Sequence, residues 1–174
     1  MGPSGAGKST VALQCLLQGL DFLSEDAVFV APDSLLATGI ANFLHVPANS
    51  LRWIDRKNAA AIRRSPTIRR RSGVKKFELD LRTGGYRLAA SPLRIGAVVF
   101  LSPRSAGRGP LLRPLSRSGL LAELAKAQAY AVNQPEWPMF KSRIGRLEGF
   151  ELRRGSHPIE AVRALQGLLD SLPR

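Results

Sequence analysis

The segment from Gly2 to Ser9 restricts this chain more than any other, because it places a glycine, four residues, and then glycine, lysine and serine. This spacing is typical of a loop that binds the phosphates of a nucleotide. Glycines let the backbone curl so that successive N–H groups point inward, and the start of the next helix adds partial positive charge. The predicted phosphate-binding residues are Gly2, Pro3, Ser4, Gly5, Ala6, Gly7, Lys8, Ser9 and Thr10.

The polar side chains at the end of this loop indicate the ligand. Lys8 can neutralise the terminal phosphates of a nucleoside triphosphate, and the Ser9 hydroxyl can ligate Mg²⁺. A helix is predicted to follow, because apolar residues recur on one helical face at Leu13, Leu16, Leu17 and Leu20.

A loop of this kind normally follows a buried strand, but in this sequence Met1 alone precedes Gly2. We therefore expect the first strand of the fold to be missing, through a truncated or miscalled start or because it is supplied otherwise. A longer chain that restored the strand should then melt at a higher temperature.

An acidic pair, Glu25 and Asp26, lies 17 and 18 residues after Lys8, between two short apolar segments. Taken alone, such a pair is best explained as a solvated turn between strands. Near a phosphate-binding loop, however, a carboxylate that emerges from a strand is well placed to hold Mg²⁺ or to accept a proton from a substrate hydroxyl.

The rest of the chain predicts one α/β domain over residues 1–174. Strands are predicted over 27–30, 77–81, 95–101 and 150–152, and helices over 49–64, 120–132, 139–147 and from Pro158 onward. The strand at 95–101 is apolar almost throughout, so it is expected at the centre of a sheet. A hairpin is expected at Gly84-Gly85, and an arginine-rich loop between Pro66 and Gly73.

Composition limits the partners. The sequence has 26 Lys and Arg against 13 Asp and Glu, a net charge of +13, which favours an anionic partner. Nucleic acid is unlikely, because the basic segment 63–76 contains no aromatic residue that would stack on bases. No apolar run approaches the roughly 20 residues that span a membrane, and the single cysteine, Cys15, excludes an internal disulfide. We therefore expect a cytoplasmic protein.

The order of several segments resembles the C-terminal catalytic domain of HPr kinase/phosphorylase and its shorter stand-alone relatives. These segments are the loop, the step Ser24-Glu25-Asp26, and residues 37–39, 98–104, 133–138 and 150–155. The resemblance implies a P-loop fold like that of PEP carboxykinase, with a mixed sheet flanked by helices. It also implies ATP and Mg²⁺, phosphoryl transfer to a serine of HPr or of a precursor peptide, and assembly into homo-oligomers.

The family's site residues carry over in part. Lys8 and Ser9 match directly, whereas the acidic pair is Asp-Asp in the family and Glu25-Asp26 here. Lys8, Glu25 and Asp26 are thus the predicted catalytic residues, and Ser9 with Asp26 the predicted metal ligands. Which carboxylate accepts the serine proton stays open, with Asp26 the better candidate. The upstream histidine of the bifunctional enzymes has no counterpart in this sequence, so phosphorylase activity is not implied.

Three further residues have side chains that a functional site could use. Arg104 follows the strand predicted at 95–101, where open α/β sheets bind ligands, so it is a candidate for substrate binding. His45 and His157 have no companions at metal-ligand spacing, and His157 is better explained as a helix start. Two other functions fit the motif. A small-molecule kinase would turn over a metabolite, and a regulatory ATP-binding protein would bind ATP without transferring phosphate.

Overall fold

The computed structural model describes residues 1–40, 42–69 and 73–172. Its helices are α1 (Lys8–Leu17), α2 (Arg56–Arg63), α3 (Arg117–Ala127), α4 (Trp137–Ile144) and α5 (Pro158–Ser171), with 3₁₀ helices at Ala48–Trp53 and Ala131–Asn133. Its strands are β1 (Val28–Val30), β2 (Leu36–Gly39), β3 (Phe43–Pro47), β4 (Thr67–Arg69), β5 (Lys75–Asp80), β6 (Leu93–Arg94), β7 (Ala97–Ser105), β8 (Leu112–Leu115) and β9 (Glu148–Arg154).

The strands of the described residues form three small sheets. Two are antiparallel, in the orders β1-β2-β6 and β3-β5-β4. The third has the order β7-β9-β8, with β7 parallel and β8 antiparallel to the central β9. The predicted α/β class is confirmed, but the strands are divided among three sheets, and the one sheet that mixes strand directions has three strands.

Helix α1 forms where its apolar residues recur, and it packs its buried face against β3. Leu13 and Leu16 are 0 % and 5 % exposed, and they join Leu44 and Val46 of β3 in one core cluster. Gly19 ends the helix with a φ of 79°, while the N–H groups of Gly19 and Leu20 bond to carbonyls of the last turn. The predicted helix is confirmed, although it ends at Leu17 and not at Leu20.

A second core cluster forms between β7 and the helices that follow it. Val98 and Phe100 of β7 are buried against Leu120 and Leu124 of α3 and Ile144 of α4. The helices predicted over 120–132 and 139–147 are therefore present, each starting and ending a few residues earlier than predicted.

Helix α5 has a strong N-terminal cap. Pro158 occupies its first turn, the Ile159 N–H donates to His157 Nδ1 at 3.1 Å, and the His157 N–H donates to Glu160 Oε1 at 3.1 Å. The interpretation of His157 as a helix-start residue is thus confirmed.

Helix α5 has 14 residues. None of the helices in the described ranges combines the length and apolar character that a membrane crossing requires.

Three sequence predictions in the middle of the chain were wrong. Gly84-Gly85 does not join β5 to a hairpin partner, because β5 already pairs with β3 on one side and β4 on the other. Residues 67–69 form β4 and not part of an arginine-rich loop, while residues 70–72 lie outside the described residues. The helix expected from Asn49-Ser50 is a 3₁₀ helix, and α2 begins later because Asp55 accepts a hydrogen bond from the Asn58 N–H.

The thiol of Cys15 gives a test of the packing around α1. Burial raises the pKa of this thiol to about 11. At pH 8 the reactive thiolate is then roughly a hundred times scarcer than for a thiol of pKa 9. We expect Ellman's reagent to react with the native chain roughly a hundredfold more slowly than with the urea-unfolded chain. The rate for the native chain should rise about tenfold per pH unit, because the thiolate fraction does so below the pKa. Equal rates for the two states would show that Cys15 is not buried as described.

Candidate functional site

The predicted phosphate loop starts at the carboxyl edge of the β7-β9-β8 sheet. The Met1 ammonium donates to the Val99 carbonyl at 2.7 Å, and the Leu101 N–H donates to the Met1 carbonyl at 2.8 Å. This is the hydrogen-bond pattern of parallel strands, and β9 runs parallel to β7 on its other side. Gly2 therefore leaves the sheet at the edge where open α/β sheets place ligands.

These contacts bear on two predictions, the central strand at 95–101 and the missing strand ahead of the loop. In the described residues β7 is an outer strand of its sheet and β9 the central one, so the expectation of a central strand at 95–101 was wrong. Residues 1–7, which precede α1, contain no strand. Met1 nevertheless bonds to β7 at the position where the strand expected ahead of the loop would pair.

The loop adopts a conformation that depends on its glycines. Gly5 and Gly7 have φ angles of 76° and 98°, and the Ala6 N–H bonds to the Pro3 carbonyl at 3.2 Å. Helix α1 begins directly after Gly7, with no side-chain cap and no acidic residue in its first turn. The partial positive charge and N–H groups of this helix end are thus not neutralised by a side chain of the first turn, which favours an anion.

Gly2 meets two constraints at once, so we expect Gly2→Ala to destabilise the chain. Its φ is 143°, and an added Cβ would lie 2.5 Å from the Leu101 carbonyl oxygen. The backbone conformation alone costs an alanine about 1–3 kcal/mol, and the contact adds to that cost. The free energy of unfolding in urea measures it. The matched control is Gly107→Ala, which has a φ of 58° but open space around the added Cβ. Equal losses for both variants would contradict the close packing of Gly2 on β7.

Two cationic side chains lie on the loop. The Lys8 ammonium donates to the Gly2 carbonyl at 2.8 Å and the Pro3 carbonyl at 2.9 Å. Arg154, the last residue of β9, donates from Nη2 to the Gly5 carbonyl at 2.6 Å. A phosphate oxygen is a stronger hydrogen-bond acceptor than a neutral carbonyl. Both cations can therefore exchange these carbonyl oxygens for the oxygens of a phosphate bound in the loop. Sequence reasoning missed Arg154, although the strand-end rule that selected Arg104 applies equally to it.

Ser9 lies at the start of a chain of polar contacts. Its hydroxyl donates to Glu25 Oε1 at 2.5 Å. The other oxygen of Glu25 accepts the His45 backbone N–H at 2.7 Å and lies 3.0 Å from His45 Nδ1. His45 Nε2 in turn lies 3.2 Å from Glu78 Oε2, its cross-strand neighbour on β5. The Glu25 side chain is 7 % exposed, so these contacts fix it in place.

Asp26 is placed differently from Glu25. Its side chain is 60 % exposed, and its Oδ2 lies 3.7 Å from His45 Nδ1. Ligand atoms of Glu25, Asp26 and His45 all lie within 4.8 Å of one another. The structure thus brings the predicted acidic pair together with a histidine that sequence spacing had left without companions, and it places Glu25, not Asp26, against Ser9.

These residues differ in the metals they suit. The Ser9 hydroxyl and the Glu25 carboxylate are hard oxygen donors of the kind that Mg²⁺ prefers. They are also the pair that P-loop enzymes use, namely a loop serine and a nearby carboxylate. His45 is a nitrogen donor better suited to transition metals, and its contacts with Glu25 and Glu78 suit a positioning role.

We expect Glu25→Gln to destabilise the chain even without ligand. A glutamine keeps one carbonyl oxygen for the His45 N–H and can donate its NH₂ to the Ser9 hydroxyl, but both hydrogen bonds lose their charged partner. Hydrogen bonds to charged groups contribute about 1.5–3 kcal/mol against about 0.5–1.5 kcal/mol for neutral ones, so we expect the free energy of unfolding in urea to fall by about 1 kcal/mol or more. Glu123→Gln, on the exposed face of α3, is the control and should change nothing. An unchanged stability for Glu25→Gln would show that the Ser9–Glu25–His45 contacts do not form.

Arg104 is set apart from this cluster. It is 73 % exposed, and its Nη1 lies 3.9 Å from Glu151 Oε1. Burial raises the pKa of Glu151, but hydrogen bonds from Arg153 and Ser102 outweigh it and hold that pKa below its usual value. A cavity lies beside the loop, and Arg153 and Arg154 line it, whereas Arg104 does not.

No family model, curated protein or solved structure was found to match the chain. The resemblance to HPr kinases therefore stays a prediction from the loop, the acidic pair and the order of the segments given above.

Proposed function

We propose that this chain is an ATP- and Mg²⁺-dependent kinase that transfers the γ-phosphate to a serine of a protein or a precursor peptide. The observation that carries the proposal is the 2.5 Å contact between the Ser9 hydroxyl and Glu25 at the end of a glycine-rich loop. Asp26 follows directly and is exposed. A P-loop fold like that of PEP carboxykinase is part of the same proposal.

The loop supplies the phosphate site. Backbone N–H groups at the start of α1 would face the phosphates, and Lys8 and Arg154 provide two positive charges on the loop. Loops of this sequence cradle the α- and β-phosphates, with the lysine on the β- and γ-phosphates. ATP would exchange the contacts of Lys8 with the Gly2 and Pro3 carbonyls for stronger, charge-assisted ones.

Ser9 and Glu25 would hold the metal ion. When bound, Mg²⁺ neutralises charge that develops on the phosphate oxygens. The chain's own contribution is to hold these two oxygen donors side by side, with His45 fixing the Glu25 carboxylate from behind. In this assignment Glu25 is a metal ligand, and Asp26 is the general base.

Asp26 is the carboxylate that an acceptor can reach. It would accept the proton of the serine hydroxyl while that oxygen forms a bond to the γ-phosphorus. The bond from the γ-phosphorus to its bridging oxygen breaks, ADP leaves, and the products are a phosphoserine and a protonated Asp26. Positioned general bases contribute about 10²–10⁴-fold in rate.

The charge of the chain favours an acidic acceptor. The net charge is +13, and exposed basic residues lie at the end of α2 and on β4 and β5, among them Arg63, Arg64, Arg69 and Lys75. The same sheet carries His45 and Glu78 beside the acidic pair. An acidic protein or peptide could therefore be attracted to the site by its charge.

The test is transfer from γ-labelled ATP, with Mg²⁺, to HPr and to small peptides encoded beside this gene. The proposal predicts labelled phosphoserine on an acceptor, lost on omission of Mg²⁺ and in Lys8→Ala. Label transferred only to a metabolite would identify a small-molecule kinase. ATP binding without transfer to any acceptor would indicate a regulatory nucleotide-binding protein. Either result would reject the serine-kinase proposal.

A further inference from the structure

A cavity of about 260 Å³ lies beside the phosphate loop. Its walls are Gly5–Gly7 and Thr10, the end of the first 3₁₀ helix with Arg52 and Trp53, and residues 152–158. Neither Ser9 nor the acidic pair lines it. Glu25 and Asp26 line a separate, smaller space of about 90 Å³ together with His45.

Two aromatic rings and a guanidinium group line part of this cavity. The rings of Trp53 and His157 meet edge to face, with centroids 4.9 Å apart, and the Arg52 guanidinium lies 4.6 Å from the Trp53 ring centroid. Planar π systems and guanidinium groups are the surfaces on which proteins stack nucleobases. None of these contacts is used by the proposed phosphate or metal chemistry.

Both aromatic residues are held by the structure. The buried Gln14 side chain of α1 donates to the Trp53 carbonyl at 2.7 Å, and Ser50 bonds to Thr10 through their hydroxyls at 2.7 Å. His157 accepts the Ile159 N–H at Nδ1, so the neutral ring carries its proton on Nε2. This part of the cavity is therefore preorganised relative to the loop.

We propose that this cavity binds the nucleobase and ribose of the nucleotide, with the base stacked on the ring of Trp53. The inference rests on the proposed function, because it takes its direction from the loop. Lys8 and Ser9 mark the β- and γ-phosphate end, so the base end points away from Glu25 and Asp26 and toward Thr10. The volume is slightly below the roughly 300–1,000 Å³ of sites that enclose a whole ligand, which suits a base and sugar whose phosphates lie on the loop.

The test compares ATP with inorganic tripolyphosphate, both with Mg²⁺, by calorimetric titration of the full chain. Loss of base stacking in Trp53→Leu should weaken ATP binding about tenfold or more and leave tripolyphosphate within twofold of the unaltered chain. Trp53→Phe, which keeps an aromatic face, should restore most of the ATP affinity. Unchanged ATP affinity in Trp53→Leu would overturn the inference. Equal losses for both ligands would also overturn it, because they would show a disturbed loop and not a base site.

A second measurement does not depend on replacing Trp53. The chain has two tryptophans, and Trp137 is buried in the second core cluster at 7 % exposure. In Trp137→Phe the remaining emission comes from Trp53, and ATP but not tripolyphosphate should change it. No response to ATP while ATP still binds would refute the base site alone. Failure of the unaltered chain to bind either ligand would remove the proposed function and this inference together.

Discussion

Lys8→Ala is expected to weaken ATP binding by a factor of about 100 or more while the chain stays folded. A hundredfold loss corresponds to about 2.8 kcal/mol, in the range of one or two charge-assisted hydrogen bonds. The fold should tolerate the change, because the Lys8 side chain is exposed and its contacts are with the Gly2 and Pro3 carbonyls of the loop itself. Calorimetric titration with MgATP measures the affinity, and a urea curve measures the stability.

The matched control is Lys126→Ala, which removes the same charge from the exposed end of α3. It should leave ATP affinity within twofold, since Lys126 does not line the cavity beside the loop and salt screens an exposed charge. If Lys8→Ala bound ATP as tightly as Lys126→Ala, the glycine-rich loop would not be the phosphate site.

Asp26→Asn is expected to lower phosphoryl transfer by about 10²–10⁴-fold, the contribution of a positioned general base. ATP affinity should change only a few-fold, because Glu25 and not Asp26 contacts Ser9. Asparagine keeps the shape of the side chain but cannot take the proton of the acceptor serine. Initial rates with labelled ATP, measured beside calorimetric binding, separate the two effects.

Asp170→Asn on the exposed face of α5 is the control for the loss of one carboxylate and should transfer at the normal rate. Glu25→Gln should behave differently from Asp26→Asn, because it should also weaken the dependence of ATP binding on Mg²⁺. Full transfer by Asp26→Asn would reject Asp26 as the base.

The parts of this site that the sequence predicts are local. The loop, the start of α1 at Lys8 and the cap of α5 all depend on residues within a few positions of one another, so motif and periodicity suffice. The position of the acidic pair was also predicted, but not the division of contacts within it. Glu25 contacts Ser9 and Asp26 is exposed. The spacing of the two residues in the sequence does not show which of them faces Ser9.

The parts that escaped prediction depend on contacts between distant residues. His45 meets Glu25 because β3 brings it there, 20 positions along the chain, and metal-ligand spacing rules consider closer neighbours. Arg154 reaches Gly5 across 149 positions, through the parallel pairing of β9 with β7.

Strand neighbours were the main error in the fold. An apolar run such as 95–101 indicates burial, but Val98 and Phe100 of β7 are buried against residues of α3 and α4, so burial does not require a strand on each side. Glycine pairs such as Gly84-Gly85 predict a turn, but not whether the next segment pairs with the strand just completed. Both of those choices depend on tertiary contacts.

The most direct test of the proposed function is an equilibrium titration of the unaltered chain with ATP, in the presence and absence of Mg²⁺. We expect one ATP per chain and tighter binding with Mg²⁺, because Lys8, Ser9 and Glu25 are the residues proposed to hold the phosphates and the metal. No binding of ATP, or binding that Mg²⁺ leaves unchanged, would contradict it.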